Sequence, residues 1–253
     1  FRASRPYEVT LIWAWGAECG TLGGMRIVVC VKHVPDMQSE RRFEGGRLVR
    51  GEDDVLNELD ENAIEAAVQL KETEEDAGRE AEVVALTMGP EDAEDTLMRA
   101  LQMGADRAYI VSDEFLEGSD VITTASVLSV AIAKIADECG PVDLVITGMA
   151  SLDAMTSMLP GALAAKAHMP LLGLARSMSV EDGTVTIERS VDGFTETLRA
   201  ALPAVVSVTD QINEPRYPAF AAMKAARKKP LDQWGIDDLV EVPGGQDLVL
   251  RRA

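Results

Sequence analysis

The chain has 253 residues, 47% hydrophobic and 26% charged, which supplies one sizeable core at the upper edge of single-domain length. Its formal net charge of −19 excludes a general nucleic-acid role, because phosphates along a polyanion are repelled, yet a single phosphate can still sit on backbone amides. Three cysteines without a CxxC pair and only two histidines, His33 and His168, argue against a disulfide framework and a histidine-rich metal centre and fit a reducing cytoplasm; no apolar stretch reaches the roughly 20 residues of a membrane helix.

Residues 1–24 begin without methionine and carry one short apolar patch, Leu11 to Trp15, with no signal-peptide exit. They read as a non-native or disordered leader. At Met25 the pattern switches to a strand, Arg26 to Lys32. A polar excursion follows, turning at Gly45-Gly46 and carrying Arg47 and Arg50. Asn57 is a suitable N-cap for a helix whose Ala63, Ala66, Ala67 and Leu70 recur at helical spacing, with Glu58, Glu61, Glu65 and Lys71 expected to face water.

Strand and helix then alternate. The strands are Glu82 to Thr87, Ala108 to Val111 and Asp143 to Thr147, and the helices are about Glu91 to Met103, Val121 to Ala136 and about Ala154 to Ala167. This rhythm predicts an α/β fold with a mostly parallel, doubly wound sheet. Beyond Pro170 the period becomes two, in Ala175 to Val180, Thr184 to Arg189, Glu196 to Ala201 and Ala204 to Val208, which predicts an antiparallel extension of that sheet. The expected domain is 25–212. From Asn213 the chain is rich in Pro, Lys and Arg and then acidic, so 213–253 reads as an extended C-terminal arm, either buried by a partner subunit or a disordered tail.

In such a sheet a ligand lies beyond the carboxyl ends of the strands, here Cys30 to His33, Thr87 to Pro90 and Thr147 to Asp153. Gly89 and Gly148 permit close backbone approach. A helix starting near Asp153 would offer amides, with the hydroxyls of Thr156 and Ser157, to a phosphate. Neither GxGxxG after a strand nor a P-loop is present. A residue such as Asp153 is more often an N-cap than a ligand group, and one such as Cys30 more often a buried small apolar residue than a reactive thiol; no local pairing of nucleophile and base marks a catalytic centre.

Several segments together resemble the β subunit of electron transfer flavoproteins (the family that includes FixA), over nearly all of Met25 to about Val240. The strongest runs from Ile187-Glu188-Arg189 through Asp192-Gly193 to Glu196-Thr197-Leu198 and on to Leu202-Pro203-Ala204-Val205-Val206. Phe194 departs from the usual small or acidic residue, and Ser207 from the usual Thr, Ala or Cys. Val31-Lys32 with Pro35-Asp36, Ala100 to Arg107, and Asn213-Glu214-Pro215-Arg216-Tyr217 add further matches.

The resemblance implies a Rossmann-like, adenine-nucleotide-binding fold and a heterodimer with an α subunit that holds most of the FAD. It implies AMP bound structurally at Cys30, Asn57, Glu58, Leu59, Asp60, Met88, Gly148, Asp153, Thr156 and Ser157. Where the family pattern often has an acidic run and Asn-Gln-Thr, this chain has Asp153 to Leu159 with side-chain donors at Thr156 and Ser157. A second FAD in place of AMP, as in bifurcating flavoproteins, therefore stays open. The segment after Tyr217 looks like the family's recognition loop, with Phe220 as the anchor for an acyl-CoA dehydrogenase and Met223, Lys224, Arg227, Lys228 and Lys229 around it; Phe220 packed within its own or the partner subunit is the alternative. The implied role is a carrier without catalytic side chains of its own, linking flavin dehydrogenases of fatty acid β-oxidation to a quinone oxidoreductase. A stand-alone nucleotide-binding α/β protein is the rival from another class.

Overall fold

The computed structural model describes residues 24–51, 53–242 and 245. The leader expected at 1–24, Gly24 apart, and most of the chain after Val242 lie outside the described residues.

β1 (Met25–Cys30) opens the chain and is followed by the excursion, now resolved into β2 (His33–Pro35), β3 (Phe43–Glu44), β4 (Arg47–Leu48) and β5 (Asp54–Leu56). These pair antiparallel as β2 with β5 and β3 with β4. Next come α1 (Glu58–Asp76), β6 (Ala81–Met88), α2 (Glu94–Met103), β7 (Arg107–Val111), α3 (Val121–Cys139), β8 (Leu144–Gly148) and α4 (Leu159–Ala167). The chain continues through β9 (Leu171–Ala175), β10 (Ser177–Glu181), β11 (Thr184–Val191), β12 (Phe194–Ala201), β13 (Ala204–Val208), α5 (Phe220–Ala226), β14 (Leu231–Trp234) and α6 (Ile236–Leu239).

Seven strands form one parallel sheet in the order β14-β7-β6-β1-β8-β13-β9. Both faces are covered, which is why the central strands read as continuous apolar runs rather than alternating ones. Ile27, Val29, Val83 and Ala85 pack with residues of α1 and α2, while Val28, Cys30, Val84 and Leu86 pack with residues of α3 and α4. In register, Cys30 lies opposite Leu86 on one side and Thr147 on the other, so β6 and β8 run on past the end of β1 to Met88 and Gly148.

Several local expectations shift. The segment Ala175 to Val180 is divided at Arg176, its first residue closing β9 in the parallel sheet and the rest forming β10. The antiparallel part is a separate three-stranded sheet, β10-β11-β12, anchored to the core through Val185 and Ile187. The segment read as the last antiparallel strand, β13, instead returns to the parallel sheet with all five residues buried, a pattern of full burial rather than period two. Helix α4 begins at Leu159, five residues later than expected, because Met155 and Ser157 have φ of 51° and 52°, left-handed values that a helix cannot contain. Glu65, expected to face water, is 3% exposed.

The C-terminal segment is also more structured than an arm. β14 extends the sheet beside β7, and Trp234 stacks on Tyr109 with ring centroids 4.2 Å apart while Lys134 Nζ lies 5.3 Å from its centroid. Among the described residues no helix is long and apolar enough to cross a membrane. Replacing Trp234, 7% exposed, with Ala is expected to cost about 3 kcal/mol or more in urea unfolding followed by circular dichroism. A cost within about 0.5 kcal/mol of zero, the range of surface changes, would mean that this strand is not part of the sheet.

Candidate nucleotide site and docking segment

From β1 the chain runs outward through β6 and β7, then crosses back to place β8 on the other side of β1. The strand order therefore reverses between β1 and β8, and a crevice opens beyond Cys30 and Gly148.

The first turn of α1 closes the floor of that crevice. Asn57, 0% exposed, does not cap its own helix through its side chain. Its backbone N–H donates to Lys32 O at 2.9 Å, its Nδ2 donates to Ala150 O at 3.0 Å, and its Oδ1 accepts from Leu152 N at 3.0 Å. One residue thus joins the loop after β1, through its backbone, to the loop after β8, through its side chain. Asp60 adds a second tie, its Oδ2 accepting from Lys32 N at 2.9 Å and its carboxylate also taking the Gly148 N–H. Gly148 is required here: a Cβ would stand 2.4 Å from Asp60 Oδ1 and 2.7 Å from Leu59 O. Burial raises the Asp60 carboxyl to about 7 against the lowering pull of hydrogen bonds from Asn57, Lys32 and Gly148. Burial, and then the Asp60 charge, raise Cys30 to about 12, so its thiol stays protonated and acts as a small apolar wall.

At the rim, Lys32 Nζ donates to both oxygens of Asp153 at 2.9 and 3.1 Å, and the Arg50 guanidinium bonds the same carboxylate. Arg50 also reaches His33 O at 3.3 Å, and Arg41 reaches Leu152 O at 3.0 Å. Burial works against the charged form of Asp153, but the hydrogen bonds from Lys32 and Arg50 outweigh it and hold the carboxyl down at about 2. The Asp153 side chain is 2% exposed, whereas those of Lys32 and Arg50 are 40% and 36% exposed, so two partly exposed cations answer one buried carboxylate at the rim.

The residues expected from sequence divide accordingly. Cys30, Asn57, Leu59, Asp60 and Gly148 meet at the floor, with Met88 half-buried at the end of the adjacent strand. Asp153 is neither an N-cap nor a free ligand group; it is the carboxylate that Lys32 and Arg50 hold. Thr156 and Ser157 lie on the exposed stretch 154–158 ahead of α4, not on its first turn, and Glu58 faces solvent. Sequence reasoning missed Lys32 and Arg50 as site residues. Lys32 had a signal, as the first charged side chain beyond β1; Arg50 lies on the excursion with no local pattern to mark it.

A second feature is the segment after β13. Tyr217 and Phe220 are 85% and 80% exposed, with Arg99 placed 5.4 Å from the Tyr217 ring centroid. Met223 is half-buried, and Lys224, Arg227 and Lys228 are exposed. Lys229, expected in the same basic rim, turns inward and donates to Leu101 O at 3.0 Å and Ala105 O at 2.5 Å at the end of α2.

Residues 46–239 match the model of the electron transfer flavoprotein domain. The chain belongs to the electron transfer flavoprotein family. It is 42% identical over 206 residues to the electron transfer flavoprotein subunit beta of Mycobacterium leprae, covering 80% of this chain and 76% of that one. It is 35% identical over 209 residues to the protein FixA of Azorhizobium caulinodans, covering 80% and 73%. With subunit CarD of the caffeyl-CoA reductase-Etf complex of Acetobacterium woodii the identity is 32% over 217 residues, covering 85% and 80%. This is a β-type electron transfer flavoprotein subunit, in a family associated with flavin, and its crevice and exposed aromatic segment are to be understood in that setting.

The two carboxyls of the crevice titrate in opposite senses. Asp153, lowered from its ordinary 3.8, contributes stability that is present above pH 3.8 and lost as pH falls through about 2. Asp60, raised from the same value, favours the fold in its neutral form, a contribution present below pH 3.8 and lost as pH rises through about 7. Melting temperature against pH should therefore flatten below about pH 4 in Asp153→Asn and between about pH 4 and 7 in Asp60→Asn. A variant that keeps the parent slope in its window would refute the assignment for that carboxyl.

Proposed function

We propose that this chain is the β subunit of a heterodimeric carrier that takes electrons from acyl-CoA and related flavin dehydrogenases and passes them to a membrane quinone oxidoreductase. Within this family, what supports the reading is the coexistence on one chain of a crevice rimmed by Lys32 and Arg50 and an exposed aromatic pair on a basic segment. In the reading, the α subunit holds most of the FAD, whose one- and two-electron chemistry carries the reaction, and the β chain supplies placement. No proton transfer by a side chain is required; the chain brings redox groups close and keeps them oriented.

AMP is the nucleotide assigned to the crevice, and the donors fit a phosphate. The hydroxyls of Thr156 and Ser157 are exposed on the loop ahead of α4, and Lys32 with Arg50 brings cations to its base at Asp153. Asn57, Asp60 and Gly148 shape the floor on which the nucleotide rests. Exposed Met155 and Met158 on the same loop offer polarizable apolar surface to a larger group, which keeps a second FAD as the competing occupant.

The test is to purify the chain with its α-type partner, denature the complex and identify the released nucleotides. One FAD and one AMP per heterodimer is the expected result; two FAD would replace the AMP reading with a bifurcating one that is reduced by NADH. A chain that forms no complex or carries no flavin would overturn the carrier. Phe220→Ala should raise the KM for the carrier in a dehydrogenase-coupled assay about tenfold, the effect of losing an interface anchor, with flavin content unchanged. An unaltered KM would remove Phe220 from the docking surface.

A further inference from the structure

Both ends of the segment carrying Tyr217 and Phe220 are tied to the helices beneath it. At the front, Arg216 uses Nε and Nη2 on Glu65 at 2.7 and 3.0 Å, and Nη1 and Nη2 on Glu72 at 2.6 and 2.9 Å. Its backbone N–H adds a contact to Glu65 at 3.2 Å. Glu65 and Glu72 are seven residues apart, two turns along one face of α1, so a single guanidinium can span them. Three residues further up the same face, Asn62 Nδ2 donates to Asn213 O at 3.1 Å while Asn213 Nδ2 donates to Asn62 O at 3.0 Å.

The Glu65 side chain is only 4% exposed. A carboxylate removed from water on a helix face is costly unless a partner answers it, and Arg216 answers it in fork geometry. The far end is held by Lys229, whose ammonium sits on the carbonyls of Leu101 and Ala105 at the end of α2. Between these points only Pro218 and Ala226 are buried, and the two large aromatic rings stand out in solvent. A loop free to move would have to be ordered at each encounter, at a cost to affinity; one held at both ends meets its partner already placed.

We infer that Arg216 and Lys229 are positioning residues that fasten the 217–228 segment to α1 and α2, so that Tyr217 and Phe220 dock without further ordering. The inference rests on the docking reading above.

Trypsin supplies a readout independent of docking, since Lys224, Arg227 and Lys228 lie exposed within the fastened segment. The purified heterodimer is compared with Lys229→Met and with the double variant Glu65→Gln/Arg216→Met, which removes the buried carboxylate together with the guanidinium that answers it. Arg216→Lys, which keeps the charge and loses the fork, is the milder control. Cleavage between 224 and 228 should quicken roughly tenfold in the first two, with an intermediate rate for Arg216→Lys. The KM for the carrier with an acyl-CoA dehydrogenase as donor should rise while kcat and FAD content hold, and adding Phe220→Ala should raise KM less than it does in the parent. Unchanged cleavage in both variants overturns the fastening. Faster cleavage with an unchanged KM overturns its link to docking, provided Phe220→Ala alone raises KM; if Phe220→Ala has no effect, the docking reading fails and the purpose given to the fasteners fails with it.

Discussion

The hydrogen bonds of Asn57 are the constraint on which the crevice depends. Where neighbouring parallel strands end, their backbone groups lose ladder partners, and a buried amide or carbonyl left alone costs about 1–3 kcal/mol. Asn57 satisfies one carbonyl and one amide of the loop after β8 while its own N–H meets the loop after β1. Asp60, one turn along, takes two more amides. The first turn of α1 therefore serves as a buckle between two loops whose ends would otherwise compete for water.

Electrostatics run against the bulk charge at the two places where function is expected. A chain of net charge −19 sets up a field that repels phosphates and acidic surfaces. At the crevice this is offset locally by the two-to-one pairing of Lys32 and Arg50 with Asp153, and by a neighbouring carboxyl, Asp60, that burial keeps partly protonated near neutral pH. On the segment after Tyr217 it is offset by Lys224, Arg227 and Lys228. Such contrasts guide approach and orientation more than they add affinity.

Much of the sheet was legible because burial on both faces writes a continuous apolar run, as in β6, β7 and β8, and because α1 and α3 carry strong helical spacing. Other features had no local signature. The late start of α4 depends on left-handed backbone at Met155 and Ser157, positions without a glycine to announce it. Glu65 was assigned to water by the ordinary behaviour of carboxylates, and its charge partner, Arg216, lies 151 residues away. β14 has just Leu231 and Trp234 as apolar residues, too few for a period, and is recognised by the Tyr109 ring it covers. The stretch that most specifically resembled the family, 187–206, builds the small antiparallel sheet and the entry to β13 rather than the crevice. Family membership was thus readable from a part of the chain that forms neither the crevice floor nor the docking segment.

The parallel sheet is completed at one edge by β14, whose partner strand β7 was made more than 100 residues earlier. During synthesis, β7 presents an open row of amides and carbonyls, with Tyr109 uncovered, until residues 231–234 emerge. The same late strand closes the loop that bears Tyr217 and Phe220, so the aromatic segment reaches its final position only when the edge is sealed. A chain interrupted before β14 would leave exposed both an adhesive strand edge and an unplaced aromatic pair, which makes this last pairing the checkpoint between a growing chain prone to aggregation and a subunit ready to assemble.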